Sequence, residues 1–414
     1  MRVTWTSVDE RTLHLEFRPD AEDALVARRG PDVRLMTTSA NIRLPVPADD
    51  LHPDLLALAA YAVVWPWTRS RLVVDRPVSD ALAEAMALDG VAITPTGGEA
   101  RRPGSRVSLA YSGGTDSIAA SVLLPEDTVY VHLRRQKHPR TVDRMTHVKG
   151  GVLERLVSDA GRRGVETTVV RTDLEYVCLP FATFPVWWAV LVGSILTADA
   201  YDAGAVATGT VLEARYLGSG IRFIDHAHPS TFHRLFEAVG LPFLRPTAAL
   251  TEVGTTLVAR HSPLADLARS CLLGSYERPC LRCDKCLRKE MTTAAIDGRR
   301  LSPAVLDAMR SHPAMFAKVL AEPPLYMQDM VEYALARVDV SGTPLEAAAE
   351  RLRPSAESTR WVEGYYAPAL DHEVPPRWRT DVERRLGGLV RRMTAQEEAV
   401  VETWDAATRS EVPA

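Results

Sequence analysis

Two short stretches carry residue types that could do chemistry. The first, "SGGTDS", places Ser112, Gly113, Gly114, Thr115, Asp116 and Ser117 directly after an apolar run ending at Tyr111. Paired glycines reach backbone conformations closed to other residues, so successive N–H groups can be turned into one concavity. A helix beginning near Asp116 would add the positive end of its dipole. Ser112, Thr115 and Ser117 would add hydroxyl donors. Such a nest suits the outer phosphates of a nucleotide. Asp116 would be repelled by bare phosphate, so its presence points to a bridging Mg²⁺. The plainer alternative is a strand-to-helix turn whose Ser and Asp only cap the helix.

The second stretch, "SCLLGSYERPCLRCDKCLRKE", holds Cys271, Cys280, Cys283 and Cys286 in a C-x8-C-x2-C-x2-C spacing. Four thiolates this close predict a tetrahedral Zn²⁺ site, with no position left open for catalysis. An iron–sulfur cluster is the rival reading, because C-x2-C-x2-C also occurs in ferredoxin-like runs. The charged residues between the ligands (Arg282, Asp284 and Lys285) suit an exposed loop that the metal would hold shut.

The elements that must position these stretches follow from pattern. From Arg106 strands alternate with helices: "RVSLAY", "DTVYVHL", "VETTVVRTD" and "AVATGT" as strands, with "DSIAASVLL", a segment ending at "DAGRRG" and "PVWWAVLVGSILTADAYDAG" as helices. Continuous apolar strands separated by helices predict a parallel sheet covered on both faces. Ligands of such sheets bind beyond the carboxyl ends of the strands. "SGGTDS" falls at one such end and "TGT" (Thr208 to Thr210) at another.

On these two motifs the chain resembles the N-type ATP pyrophosphatases, the PP-loop enzymes, whose motif is SGGxDS. It lacks the GK[ST] ending of a Walker A loop. The cysteine spacing downstream is similar to that of the 7-cyano-7-deazaguanine synthase (QueC) family. The resemblance spans about residues 106 to 295. It implies a Rossmann-like, doubly wound parallel sheet of the adenine nucleotide alpha hydrolase type. It also implies an ATP-dependent ligase that adenylates a carboxylate or amide, releases pyrophosphate, and forms an amide or nitrile with ammonia. ATP, Mg²⁺ and structural Zn²⁺ are the implied cofactors, and a homodimer the implied assembly. Carried onto this sequence, Tyr111, Ser112, Gly113, Gly114, Thr115, Asp116, Ser117, Gly209 and Thr210 would bind ATP, with Asp116 and Ser117 catalytic. Gln136 and His138, after the second strand, sit where the family has a Gln-Arg-His type segment. Glu213 and Arg215, at the fourth strand's exit, are further substrate candidates.

The sequence departs from the family in two places. "LPFATF" offers Ala182 and Thr183 where an Arg-Asn pair is expected, and Leu250-Thr251 replaces a Lys expected before Glu252. ATP chemistry therefore carries over further than substrate identity, and some other carboxylate or amide is the expected substrate. Two competing functions stay open: a PP-loop sulfurtransferase acting on a nucleobase or tRNA, for which Cys178 is the one cysteine outside the metal loop, and a non-catalytic nucleotide-binding scaffold.

The remaining sequence frames this core. Residues 1–105 read as an N-terminal α+β domain, 106–300 as the PP-loop domain with its cysteine loop at 271–286, and 301–414 as a C-terminal helical domain. "FIDHAHPSTFH" gathers Asp225, His226, His228 and His233, which could ligate a metal but read more simply as a polar surface segment. Trp187 and Trp188 are expected in a helix core. Among 414 residues, 46% hydrophobic and 25% charged, the formal net charge is -4. No global basic field draws the chain to nucleic acid or an anionic membrane. The N-terminal "MRVTWTSVDER" has no apolar h-region, and the apolar run from Phe184 to Ala198 is too short to span a bilayer, so a cytoplasmic location is expected.

Overall fold

A computed structural model of the chain describes residues 1–23, 34–48, 50–135, 150–179, 187–217, 228–271, 274–281, 283–313, 325 and 327–404. The chain divides into two compact units that do not follow its linear order. The first takes in Met1–Ser112, Pro125–Ala207 and Ala227–Leu244, and the second Gly113–Leu124, Thr208–His226 and Arg245–Ala414.

The first unit is mixed α/β and is built on a ten-stranded, mostly parallel sheet. From one edge the strands run Phe243–Leu244, Ala203–Ala207, Arg106–Ala110, Val129–Arg135, Thr167–Thr172, Ser39–Arg43, Thr12–Arg18, Arg2–Asp9, Arg71–Ser79 and Ala92–Gly98. The five strands after residue 105 are mutually parallel and stand in the order 3-2-1-4-5, counted along the chain. Strands from before residue 105 extend the same sheet, because Ser39–Arg43 pairs antiparallel with Thr167–Thr172. The strand Ala203–Ala207 is wholly buried, as expected of a parallel strand covered on both faces.

Helix Pro53–Val64 shows how local sequence sets this unit's core. Pro53 opens it at a position where a missing N–H costs nothing. Every residue from Asp54 to Val64 is buried, and Asp54 is tolerated because its Oδ1 accepts the Ser79 N–H over 2.8 Å. Ser79 in turn caps the next helix, its Oγ accepting the N–H of Leu82. Trp188 lies fully buried among Tyr61, Phe232 and Phe236, at ring-centroid distances of 6.4, 4.6 and 5.8 Å. The long helix predicted from Pro185 is instead a 3₁₀ turn, Trp187–Leu191, and a short α-helix, Val192–Leu196. Gly193 lies against Leu133, Val131 and Val170, where an added Cβ would meet each at 3.3 Å. The hydroxyl of Thr197 bonds back to the Gly193 carbonyl over 2.8 Å, a bond that competes with regular helix.

The second unit is helical. Helix Thr115–Leu123 packs on Glu252–Ala259 and on Pro376–Gly387, and Asp284–Asp297 packs on Gln328–Leu335. No helix among the described residues is long and apolar enough to cross a membrane.

Candidate functional site

The predicted glycine turn is a turn. Gly113 sits at φ +69°, in the region that favours glycine, and Gly114 precedes the first residue of helix Thr115–Leu123. Ser117 Oγ donates to the Gly114 carbonyl over 2.9 Å. Asp116 is half-buried in the first helical turn, and its Oδ1 accepts the hydroxyl of Thr255 over 2.9 Å. Gly209 lies against the same helix start. A Cβ there would stand 2.4 Å from both the carbonyl carbon and the carbonyl oxygen of Asp116, and 2.6 Å from the N of Ser117. Only glycine permits this approach, so the "TGT" turn and the "SGGTDS" turn meet. Thr208 and Thr210 face each other with hydroxyls 2.9 Å apart, and the Thr210 carbonyl accepts from Thr247 Oγ1 over 2.9 Å.

Behind Asp116 lies a buried ionic cluster that sequence reading missed. Glu252 opens the helix Glu252–Ala259 and pairs with Arg288 and with Lys289, the latter over 2.9 Å. Burial works against charge on both Glu252 and Lys289. The two cations hold the carboxyl of Glu252 below its ordinary range, and the carboxylates of Glu252 and Asp116 hold the Lys289 ammonium above its own. Thr255, Arg288 and Lys289 lie far along the chain from Asp116, and no local pattern marks them.

Glu213 and Arg215 lie on a π-helical segment, Glu213–Leu217, and both are buried. Glu213 Oε1 accepts the N–H of Glu252 over 2.7 Å. Burial, then the nearby Asp329, raises the Glu213 carboxyl well above the carboxylate range, and burial pushes Asp329 up to about 7. Burial of both carboxyls disfavours two negative charges there. Arg215 pairs with Glu373, which also pairs with Arg245 and accepts from the Tyr216 hydroxyl over 3.1 Å.

Tyr111 and Ser112 belong to the first unit. Tyr111 is buried, its ring edge-on to Tyr130 at 5.4 Å. Its carbonyl lies 2.8 Å from Nδ1 of His132. A carbonyl only accepts, so Nδ1 carries the proton, and burial pushes the His132 pKa down toward the neutral ring. Gln136, His138, Ala182, Thr183, Asp225 and His226 lie outside the described residues, as do the side chains of Trp187 and His228. His233 is half-buried, with its ring 5.9 Å from that of Phe243. Cys178 is buried on the short strand Cys178–Leu179, paired with Arg34–Leu35.

The four predicted cysteines converge. The Sγ atoms of Cys271, Cys280, Cys283 and Cys286 all lie within 4.8 Å of one another. Cys280 to Cys286 measures 3.9 Å and Cys283 to Cys286 measures 3.5 Å. A tetrahedron with Zn–S bonds of about 2.3 Å has edges of about 3.8 Å. Cys271 Sγ accepts the N–H groups of Gly274 and Cys280, each over 3.1 Å, which stabilises a thiolate. Gly274 lies so close to the Arg278 carbonyl that a Cβ would stand 2.5 Å from that oxygen, so the knuckle closes only on glycine. Cys283 stands at the N-cap position of helix Asp284–Asp297, without a side-chain capping bond, and Cys286 lies in the helix's first turn. The donor set and its spacing fit a metal such as zinc.

Residues 231–405 match the sequence profile of a family of unknown function, DUF6395. That match includes Thr255, the cysteine loop and Glu373, and begins after the glycine turn and Gly209. No curated protein and no solved structure matches the chain.

Proposed function

We propose that the chain is a QueC-like, PP-loop type ligase that uses ATP to activate a carboxylate or amide and joins it to ammonia, forming AMP and pyrophosphate. The observation that carries this reading is the meeting of Gly209 with the helix start at Asp116, behind a glycine turn. In chain order the two turns that meet follow the strands Arg106–Ala110 and Ala203–Ala207, and Gly113, Asp116 and Gly209 all belong to the second unit.

In this reading the N–H groups of the turn and the start of helix Thr115–Leu123 bind the outer phosphates. Asp116, oriented by Thr255, and Ser117 would hold Mg²⁺. Mg²⁺, when bound, neutralises charge on the departing pyrophosphate. The Lys289 ammonium adds fixed positive charge behind Asp116. A substrate carboxylate oxygen attacks the α-phosphorus, and the bond to the pyrophosphate oxygen breaks. Ammonia then attacks the acyl carbon, AMP leaves with the oxygen, and a proton is released. With a second ATP the amide oxygen would attack the α-phosphorus and displace pyrophosphate; loss of AMP with that oxygen and of both N–H protons, with no further ammonia, would leave a nitrile.

The test is a screen of carboxylic acids with Mg²⁺, ATP and ammonium, scoring acid-dependent AMP and pyrophosphate. The reading expects at least one acid to raise both in equal amounts, and Asp116→Ala to abolish the response. Release that is independent of every acid, or that survives Asp116→Ala, removes it.

A further inference from the structure

The carbonyl of Gly113 accepts the backbone N–H of Arg269 over 3.0 Å. In a trans peptide the C=O and the following N–H point in opposite directions. Tying the Gly113 carbonyl to Arg269 therefore turns the N–H of Gly114 to the other side of the turn. A flip of this one peptide would replace a donor with an acceptor on that side, and Gly113, at φ +69° with no Cβ, offers little steric resistance to a flip.

The side chain of Arg269 reaches into the cysteine loop. Its Nε donates to the Tyr276 carbonyl over 2.7 Å, and its guanidinium lies over the Tyr276 ring at 4.9 Å. Its Nη1 donates to the carbonyls of Asp266 (2.8 Å) and Ala268 (3.0 Å). Tyr276 lies between the ligands Cys271 and Cys280. Ser270 stands with its hydroxyl 3.5 Å from that of Thr115. Three consecutive residues thus hold the glycine turn, touch the helix start and supply the first thiolate.

We propose that Arg269 is a positioning residue: it fixes the Gly113–Gly114 peptide in the orientation that receives an anion, and the metal-loaded cysteine loop keeps Arg269 in place. The inference rests on the nucleotide reading above only for the identity of the anion.

Hydrogen exchange at the amides of Ile118–Ala120, the first in the helix with intrahelical partners (the Ile118 N–H donates to the Gly114 carbonyl over 3.1 Å), tests it, measured on the full chain with metal bound, after chelation, and in Arg269→Ala, Arg269→Lys and Arg269→Pro. Mg·ATP dissociation constants are measured on the same samples. Arg269→Ala should keep its metal yet speed exchange at these amides, and weaken Mg·ATP, by about tenfold, the scale of one lost hydrogen bond. Arg269→Lys, which keeps a cation over Tyr276, should recover part of the loss. Arg269→Pro deletes the N–H donor itself and should exceed Arg269→Ala; Ala268, at φ -55° and ψ 122°, already has a backbone that tolerates a following proline. Chelation should reproduce Arg269→Ala at the same amides while helix Ala395–Glu402 keeps its protection. Wild-type exchange at Ile118–Ala120 in both the metal-free protein and Arg269→Ala overturns the proposal. Faster exchange in a protein that never binds Mg·ATP would leave Arg269's role standing and remove the nucleotide reading instead.

Discussion

The hydroxyl of Thr255 donates to Oδ1 of Asp116 across 2.9 Å, joining two helices whose residues stand 139 positions apart. The same hydroxyl also reaches the Glu252 carbonyl at 3.1 Å, so its proton is shared between a charged and a neutral acceptor. Thr255→Val keeps the shape and removes the donor. It should leave folding intact and lower pyrophosphate release about tenfold, the scale of a hydrogen bond to a charged group. Thr255→Ser should retain most of the rate. Steady-state kinetics on the three proteins decides, and a wild-type rate in Thr255→Val would make the contact idle.

Gly209→Ala tests the meeting of the two turns. The new methyl would collide with the backbone of Asp116, not with a flexible side chain, so the helix start or the turn must move. Mg·ATP affinity should fall by about tenfold or more, since displaced donors lose most of their electrostatic worth. Calorimetric binding with a parallel melting curve separates this from simple unfolding. Unchanged affinity would show that the close approach does not shape the site.

The glycine turn and the cysteine loop were legible because each is one contiguous stretch whose residue types restrict its geometry. Lys289, Arg288, Thr255 and Arg269 were not, because their partners lie on other elements and a lone Thr, Lys or Arg carries no local signature. The pairing of Ser39–Arg43 with Thr167–Thr172 was equally hidden. Strand pairing across more than a hundred residues is set by the whole fold and not by either strand's pattern. The helix expected from Pro185 failed for a related reason. Apolar content alone does not distinguish a helix from a buried, partly 3₁₀ segment folded around Gly193.

The cysteine loop should carry one zinc per chain by elemental analysis. Cys286→Ala removes a ligand from the first turn of helix Asp284–Asp297, the helix that also presents Arg288 and Lys289 to Glu252. Metal content should fall below half, and the melting temperature should drop with it, because metal binding contributes directly to folding free energy. Iron with visible charge-transfer absorption would instead assign a cluster. Full metal content in Cys286→Ala would exclude the four-thiolate site.

The carboxyl pair Glu213 and Asp329 predicts a pH dependence. Burial holds Asp329 up to about 7 and raises Glu213 well above the carboxylate range. An unfolded aspartate releases its proton near pH 4. Between about pH 4 and 7 the folded chain therefore binds more protons than the unfolded chain, and its stability falls as pH rises through that window. Asp329→Asn removes one titrating group and keeps a donor for Glu213. Its melting temperature relative to wild type should climb between pH 5 and pH 8. A constant difference across that range would mean that burial does not raise Asp329 into this window.

Under the proposed function, the turn from Gly113 to Ser117 takes the outer phosphates of ATP, with Mg²⁺ at Asp116. Isothermal titration of Mg·ATP into the metal-loaded full chain, with Asp116→Ala beside it, tests this most directly. Saturable one-to-one binding by the wild type is expected, lost or weakened at least about a hundredfold in the variant, in line with removing a carboxylate that would hold Mg²⁺ beside the phosphates. No binding by the wild type, or equal binding by both proteins, would contradict it.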